Sequence, residues 1–207
     1  MSGPRATTLI ELETPRLLLR QWRASDRAPF AAMGADQRVM QYFPALLDRV
    51  QSDAMADRCE ALIAEKGWGL WAVECRASGA FIGFVGLHEP AAALPFAPCV
   101  EIGWRLAASH WGQGLAMEAA AAALQAGFQE LALAEIVAFT SVPNRRSQAV
   151  MQRLGMRQDG FFAHPLLAAD HLLSRHVLYR LDSAVFRASS RSMTPVLRRQ
   201  ASSPSFS

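Results

Sequence analysis

The chain has 207 residues, 51% of them hydrophobic and 19% charged, with a formal net charge of +3. That length suits one domain with a sizeable core, and the composition excludes the disordered and fibrous classes. The positive charge belongs to the end of the chain, because Arg187, Arg191, Arg198 and Arg199 follow residue 182 with no acid among them. The first 182 residues are therefore net −1, and no basic face for nucleic acid is expected.

Cys59, Cys75 and Cys99 share no metal-ligand spacing and read as reduced thiols. The opening MSGPRATTLIELETPRLLLR lacks the basic-then-apolar pattern of a signal peptide. No apolar run approaches the roughly 18 residues needed to cross a bilayer. A cytoplasmic protein is expected, monomeric or homodimeric, with neither a membrane nor a nucleic-acid partner.

In chain order, Thr14-Pro15 is a turn signal, and Arg16 to Arg20 is an early strand. Ser25 and Asp26 can cap a short helix through Met33, since their side-chain oxygens accept from first-turn amides. Apolar residues at Met55, Cys59, Leu62 and Ile63 predict a helix over Ser52 to Lys66, stopped by Gly67. Trp68 to Arg76 and Phe81 to Leu87 flank Ala77-Ser78-Gly79-Ala80 as a hairpin. Val100 to Leu106 is a strand that leads through Trp111-Gly112-Gln113-Gly114-Leu115-Ala116 into an alanine-rich helix reaching about Leu131. A strand over Ala134 to Val142 should lie parallel to Val100–Leu106, because a helix separates the two. Asn144 caps a helix that ends at Gly155, and Phe161 to Leu181 supplies the last extended runs. From Ser183 onward, eight serines and four arginines stand among few apolar residues, which predicts a disordered tail over 183–207 and a domain over 1–182.

A glycine turn at a helix start aims free N–H groups at one spot, with the positive end of the helix dipole behind them. Three ligand classes compete for W-G-Q-G-L-A. A P-loop needs Lys and Ser/Thr where Leu115 and Ala116 stand, and that reading fails. A dinucleotide fingerprint needs a small residue at Met117 and normally follows the first strand, which makes it weak here. The third class enters through a family resemblance.

Here the chain resembles the GNAT acetyltransferase superfamily, and within it the ribosomal-protein N-terminal acetyltransferase branch. The resemblance rests on ETPRLLLR (Glu13 to Arg20), EIGW (Glu101 to Trp104), the Trp111-Gly112-x-Gly114-x-Ala116 turn, Val142 to Met156, and the ending HVLYRL. It covers about residues 9 to 182. It implies an α+β fold with a mixed, mostly antiparallel sheet of six or seven strands, about four helices, and a splayed parallel pair holding the cofactor.

The resemblance also implies acetyl-CoA as cofactor, with its diphosphate on the backbone of Gly112, Gln113, Gly114, Leu115, Ala116 and Met117 beside Trp111. The pantetheine arm is then expected along Trp104, Arg105 and Leu106, with contacts from Asn144 and Ser147. Direct attack of an amine on the thioester asks for a base, for which Glu101 is the candidate if burial raises its pKa. Facing solvent or pairing with an arginine is its ordinary alternative. Many relatives carry a tyrosine acid where Met151 stands, and Ser147 is the nearest hydroxyl donor. His164, His171, His176, Phe43 and Trp68 are candidate acceptor-site residues, with loop-shaping the ordinary role for the histidines. The expected acceptor is a primary amine, a protein N-terminus or a small molecule. A non-catalytic acyl-CoA sensor is the rival from another class.

Overall fold

The computed structural model describes residues 8–90, 93–189 and 196–201. β1 (Thr8–Glu13) and β2 (Leu17–Arg20) form a hairpin closed by Thr14, whose amide bonds the Leu17 carbonyl and whose hydroxyl accepts the Leu17 amide, each at 2.9 Å. Arg20 leaves β2 fully buried. Its guanidinium reaches Asp26 and Glu74, each at 2.7 Å, and ties the start of α1 (Arg27–Gly34) to β3 (Leu70–Cys75). After α2 (Gln37–Met40), the helix α3 (Arg49–Lys66) begins three residues before its expected start. Asp48 accepts the Gln51 amide at 2.8 Å while the Gln51 side chain accepts the Asp48 amide at 3.0 Å, a reciprocal cap that recruits one more turn.

The remaining elements are β4 (Ala80–His88), β5 (Glu101–Leu106), α4 (Leu115–Gln125), β6 (Glu135–Ser141), α5 (Arg145–Arg153), β7 (Arg157–Ala163), β8 (Arg175–Asp182), α6 (Ser183–Ser189) and β9 (Val196–Ala201). The sheet order is β7-β8-β6-β5-β4-β3-β2-β1-β9, antiparallel except for the β5–β6 pair. Phe84 on β4 packs edge-on against Phe30 of α1, which places α1 on one face of the sheet. Leu87 and Ile136 meet Gly127, just past α4, on the other face. Period-two alternation then assigns Glu101, Gly103 and Arg105 to the α1 face and Ile102, Trp104 and Leu106 to the α4 face. No helix among the described residues is long and apolar enough to cross a membrane.

The mixed, mostly antiparallel α+β architecture is as expected, with more elements. Among the described residues, eight strands precede residue 183, because the early strand is a hairpin, and there are six α-helices. Two pieces of the segment expected as a disordered tail are described. Ser183–Ser189 is helical, with Phe186 stacked on Phe128 at 4.8 Å, and Val196–Ala201 pairs antiparallel with β1. Edge pairing satisfies backbone groups and needs no apolar side chains, so a polar composition did not exclude it. The rest of the tail lies outside the described residues.

Candidate active site

β5 and β6 run parallel but share a single register pair, Glu101 with Val137, where the Val137 amide bonds the Val100 carbonyl at 2.9 Å. Past that point β5 stays with β4 and β6 with β8, so the two strands diverge. The backbone edge of residues 102–106 that would face β6 is left open among the described residues. The opening lies toward the carboxyl ends of a parallel pair, where sheets of this kind hold ligands.

The turn from Trp111 to Ala116 stands at the mouth of that opening. Gly112 and Gly114 have φ of 73° and 76°, a left-handed conformation that side chains disfavour. A Cβ at Gly112 would touch nothing within 4 Å, so backbone conformation rather than crowding selects glycine there. The first α4 amide with a backbone acceptor is that of Glu118, bonded to the Gly114 carbonyl at 3.0 Å. The amides of residues 112–117 precede it with no backbone acceptor among the described residues. Together with the helix dipole they form a cradle for a phosphate-bearing group.

A brace that sequence reasoning missed holds this turn in place. Arg16 Nη1 donates to the Gln113 carbonyl at 2.9 Å, and Arg16 Nε donates to Glu118 at 2.6 Å. The Glu118 carboxylate also takes the Thr14 hydroxyl at 2.6 Å and the Arg16 amide at 2.9 Å. Burial opposes the charge on Glu118, but these donors outweigh it and hold the carboxyl below its ordinary range. The only signal was that Thr14 and Arg16 sit in ETPRLLLR and Glu118 three residues past Leu115. Trp111 donates its indole N–H to the Leu106 carbonyl at 2.8 Å, which locks the turn to the end of β5.

α5 starts beside the turn, where the Arg146 guanidinium lies 5.0 Å from the Trp111 ring centre. Asn144 accepts the Ser147 amide at 3.2 Å and donates to Thr140 Oγ1 at 2.9 Å, so its side chain acts as a cap. Met151 is 2% exposed and packs in the core, and the buried Tyr179 hydroxyl is bonded by Gln152 at 3.1 Å. Ser147 is half-buried in the first turn of α5, beside the opening.

On the α1 face, Glu101 Oε2 lies 3.2 Å from His88 Nε2, its cross-strand partner, with the two side chains 14% and 27% exposed. His164 and His176 stack at 4.8 Å between ring centres, against Phe139 and Phe162. Burial pulls both imidazoles below their ordinary pKa. The Glu101 charge partly offsets this at His164, and the Ser174 carbonyl does so at His176. Two of the three candidate histidines thus join Glu101 in one aromatic-walled group.

His171 lies elsewhere. It lines a cavity of about 530 Å³ together with Phe43, Gln41, Asp170 and Leu173. Trp68 is in neither group and lies under the Lys66 ammonium at 5.4 Å. Arg105 was expected to meet the pantetheine arm through its backbone; its side chain turns to the α1 face and lies over Phe43 at 4.1 Å.

Residues 16–157 match the sequence profile described as an acetyltransferase (GNAT) domain. The chain is 33% identical to the uncharacterized protein YkkB of Bacillus subtilis over 70% of this chain and 84% of that protein. It is 31% identical to the uncharacterized N-acetyltransferase YoaA of the same organism, over 72% and 84%. Among solved structures, Mycobacterium smegmatis RimJ in complex with CoA-disulfide superposes with a TM-score of 0.66 at 22% identity, over 90% of this chain and 96% of that one.

Proposed function

The chain belongs to the GNAT acetyltransferase family, and from that premise we propose that it transfers an acetyl group from acetyl-CoA to a primary amine by direct attack. The observation that carries the reading is the single-pair β5–β6 junction, with open amides at one end and Glu101 at the other. The residues present fit coenzyme A: the amides of Gly112 to Met117 would hold its diphosphate, and the open edge of Trp104 to Leu106 would bond its pantetheine amides. Leu106 has one carbonyl lone pair already engaged by Trp111. When bound, the cofactor supplies an acyl thioester.

Glu101 accepts a proton from the acceptor amine, and His88 at 3.2 Å orients the carboxylate. The neutral His164 and His176, with Phe139 and Phe162, exclude water from that side. Ser147 Oγ donates a hydrogen bond toward the departing sulfur. A thiol of pKa about 8.5 leaves readily, so a weak donor suffices.

A protein N-terminal α-amine suits one carboxylate base better than lysine does, because its pKa of about 7.7–8.0 lies well below lysine's of about 10.4. The test is thiol release from acetyl-CoA over an amine panel that includes peptides beginning with Ser or Ala. Turnover on an α-amine is expected. Tight acetyl-CoA binding with no turnover on any amine would instead support a sensor, the reading favoured by buried Met151 at the position of the family's acid.

A further inference from the structure

Among the described residues two arginines are buried, and the fold treats them differently. Arg20 is neutralised by Asp26 and Glu74. Arg105, 8% exposed, forms no ion pair among the described residues, and its Nε and Nη1 have no hydrogen-bond partner. Its guanidinium carbon lies 4.1 Å from the Phe43 ring centre and 5.4 Å from that of Phe84. Burial pushes its pKa down to about 10, which leaves it charged at neutral pH. Neighbouring Cys59 is pushed up to about 11 by its own burial and stays a neutral thiol, so it supplies no counter-charge. A buried charge with unmet donors is strongly unfavourable unless an anion completes it.

Phe43, which this guanidinium covers, lines the 530 Å³ cavity, although Arg105 itself does not. Arg105 and Glu101 share one face of β5. We propose that Arg105 binds a carboxylate of the acceptor, so that the substrate is a primary amine that carries a carboxylate. The inference rests on the acetyl-transfer reading and on the α1 face being the acceptor side. One guanidinium, with exposed Asp170 in the cavity lining, balances a monoanion and disfavours a phosphate dianion. An arginine fork matches a carboxylate in shape as well as in charge. The carboxylate can belong to a free amino acid or to an acidic side chain near a peptide N-terminus.

Thiol release is measured on matched pairs: alanine against alaninamide, and Ala-Asp against Ala-Asn peptide amides. At least one carboxylate member should exceed its neutral partner about 10-fold or more in kcat/KM. The first pair reports a free amino acid and the second a peptide. In Arg105→Met that ratio should collapse to near 1. In Arg105→Lys, which keeps the charge and loses the fork, it should fall severalfold and provide the answer if the Met variant does not fold.

An active enzyme with no carboxylate preference, or a preference unchanged in Arg105→Met, overturns the proposal and leaves acetyl transfer standing. If no amine is acetylated, the acetyl-transfer reading falls and thermal melts decide the anion site. N-acetylalanine should then raise the wild-type Tm more than N-acetylalaninamide does, and the difference should vanish in the variant. Equal shifts with both ligands would overturn the carboxylate site.

Discussion

At the scale of single residues, the proposed chemistry turns on Glu101 and the two stacked imidazoles. Glu101→Gln keeps the size of the side chain and removes the proton acceptor. It should lower kcat by about 100-fold while leaving the Kd for coenzyme A within about twofold. Steady-state rates and calorimetric titration check both halves, and an unchanged kcat would remove Glu101 from the mechanism. His164 and His176 give a second expectation, with a defined sign. Both are held neutral by burial, below the ordinary 6.5, so the unfolded chain takes up protons first as pH falls. Their contribution is unimpaired above about pH 6.5 and erodes below it. Melts between pH 7 and 5.5 should show a smaller drop in Tm for His164→Gln/His176→Gln than for wild type. Glu101 was legible in EIGW, but His88 was not, because cross-strand partners follow from register and the loop after β4 hides it.

Two assemblies of elements carry expectations of their own. The brace from the β1–β2 hairpin to the α4 turn has Arg16 as its centre. Arg16→Ala should weaken coenzyme A binding about 3- to 10-fold by loosening the Gln113 carbonyl, the loss of about 1 kcal/mol. Gly114→Asp should weaken it more, since aspartate strains the left-handed turn and sets a negative charge at the proposed phosphate position. Wild-type affinity in both variants would mean that the diphosphate lies elsewhere. The Arg20–Asp26–Glu74 cluster is structural: Asp26→Asn should cost about 3–5 kcal/mol in urea unfolding, because it strands a buried guanidinium. The α4 turn could be read from the sequence because glycine spacing and helix start are local. The brace could not, because partners such as the Arg16 amide and the Glu118 carboxylate are 102 residues apart in the chain. The orientation of Arg105 also escaped, since strand alternation is visible in a sequence but the choice of face is fixed only by what packs on each side.

Across the whole molecule, the sheet is continuous on either side of one weak seam, the lone Glu101–Val137 pair. A ligand that bonds both sides of that seam should stabilise the folded state globally. Coenzyme A at 100 times its Kd should add about 2.7 kcal/mol to unfolding free energy by mass action. Urea titrations with and without the ligand measure this directly. The mixed sheet and its parallel pair could be anticipated from the order of elements, whereas the β9 edge pairing could not, because composition says nothing of which backbone edge lies open. The contact between Thr14, Arg16 and Glu118 has a further consequence for how the molecule is made. Its two halves are separated by about half the chain, so during synthesis the hairpin must wait for α4 to emerge before they can meet. Closing so long a loop comes late and is slow relative to local helix and hairpin formation. If this turn holds the nucleotide end of the cofactor as proposed, that competence is acquired near the end of folding, and a chain stalled before α4 lacks it.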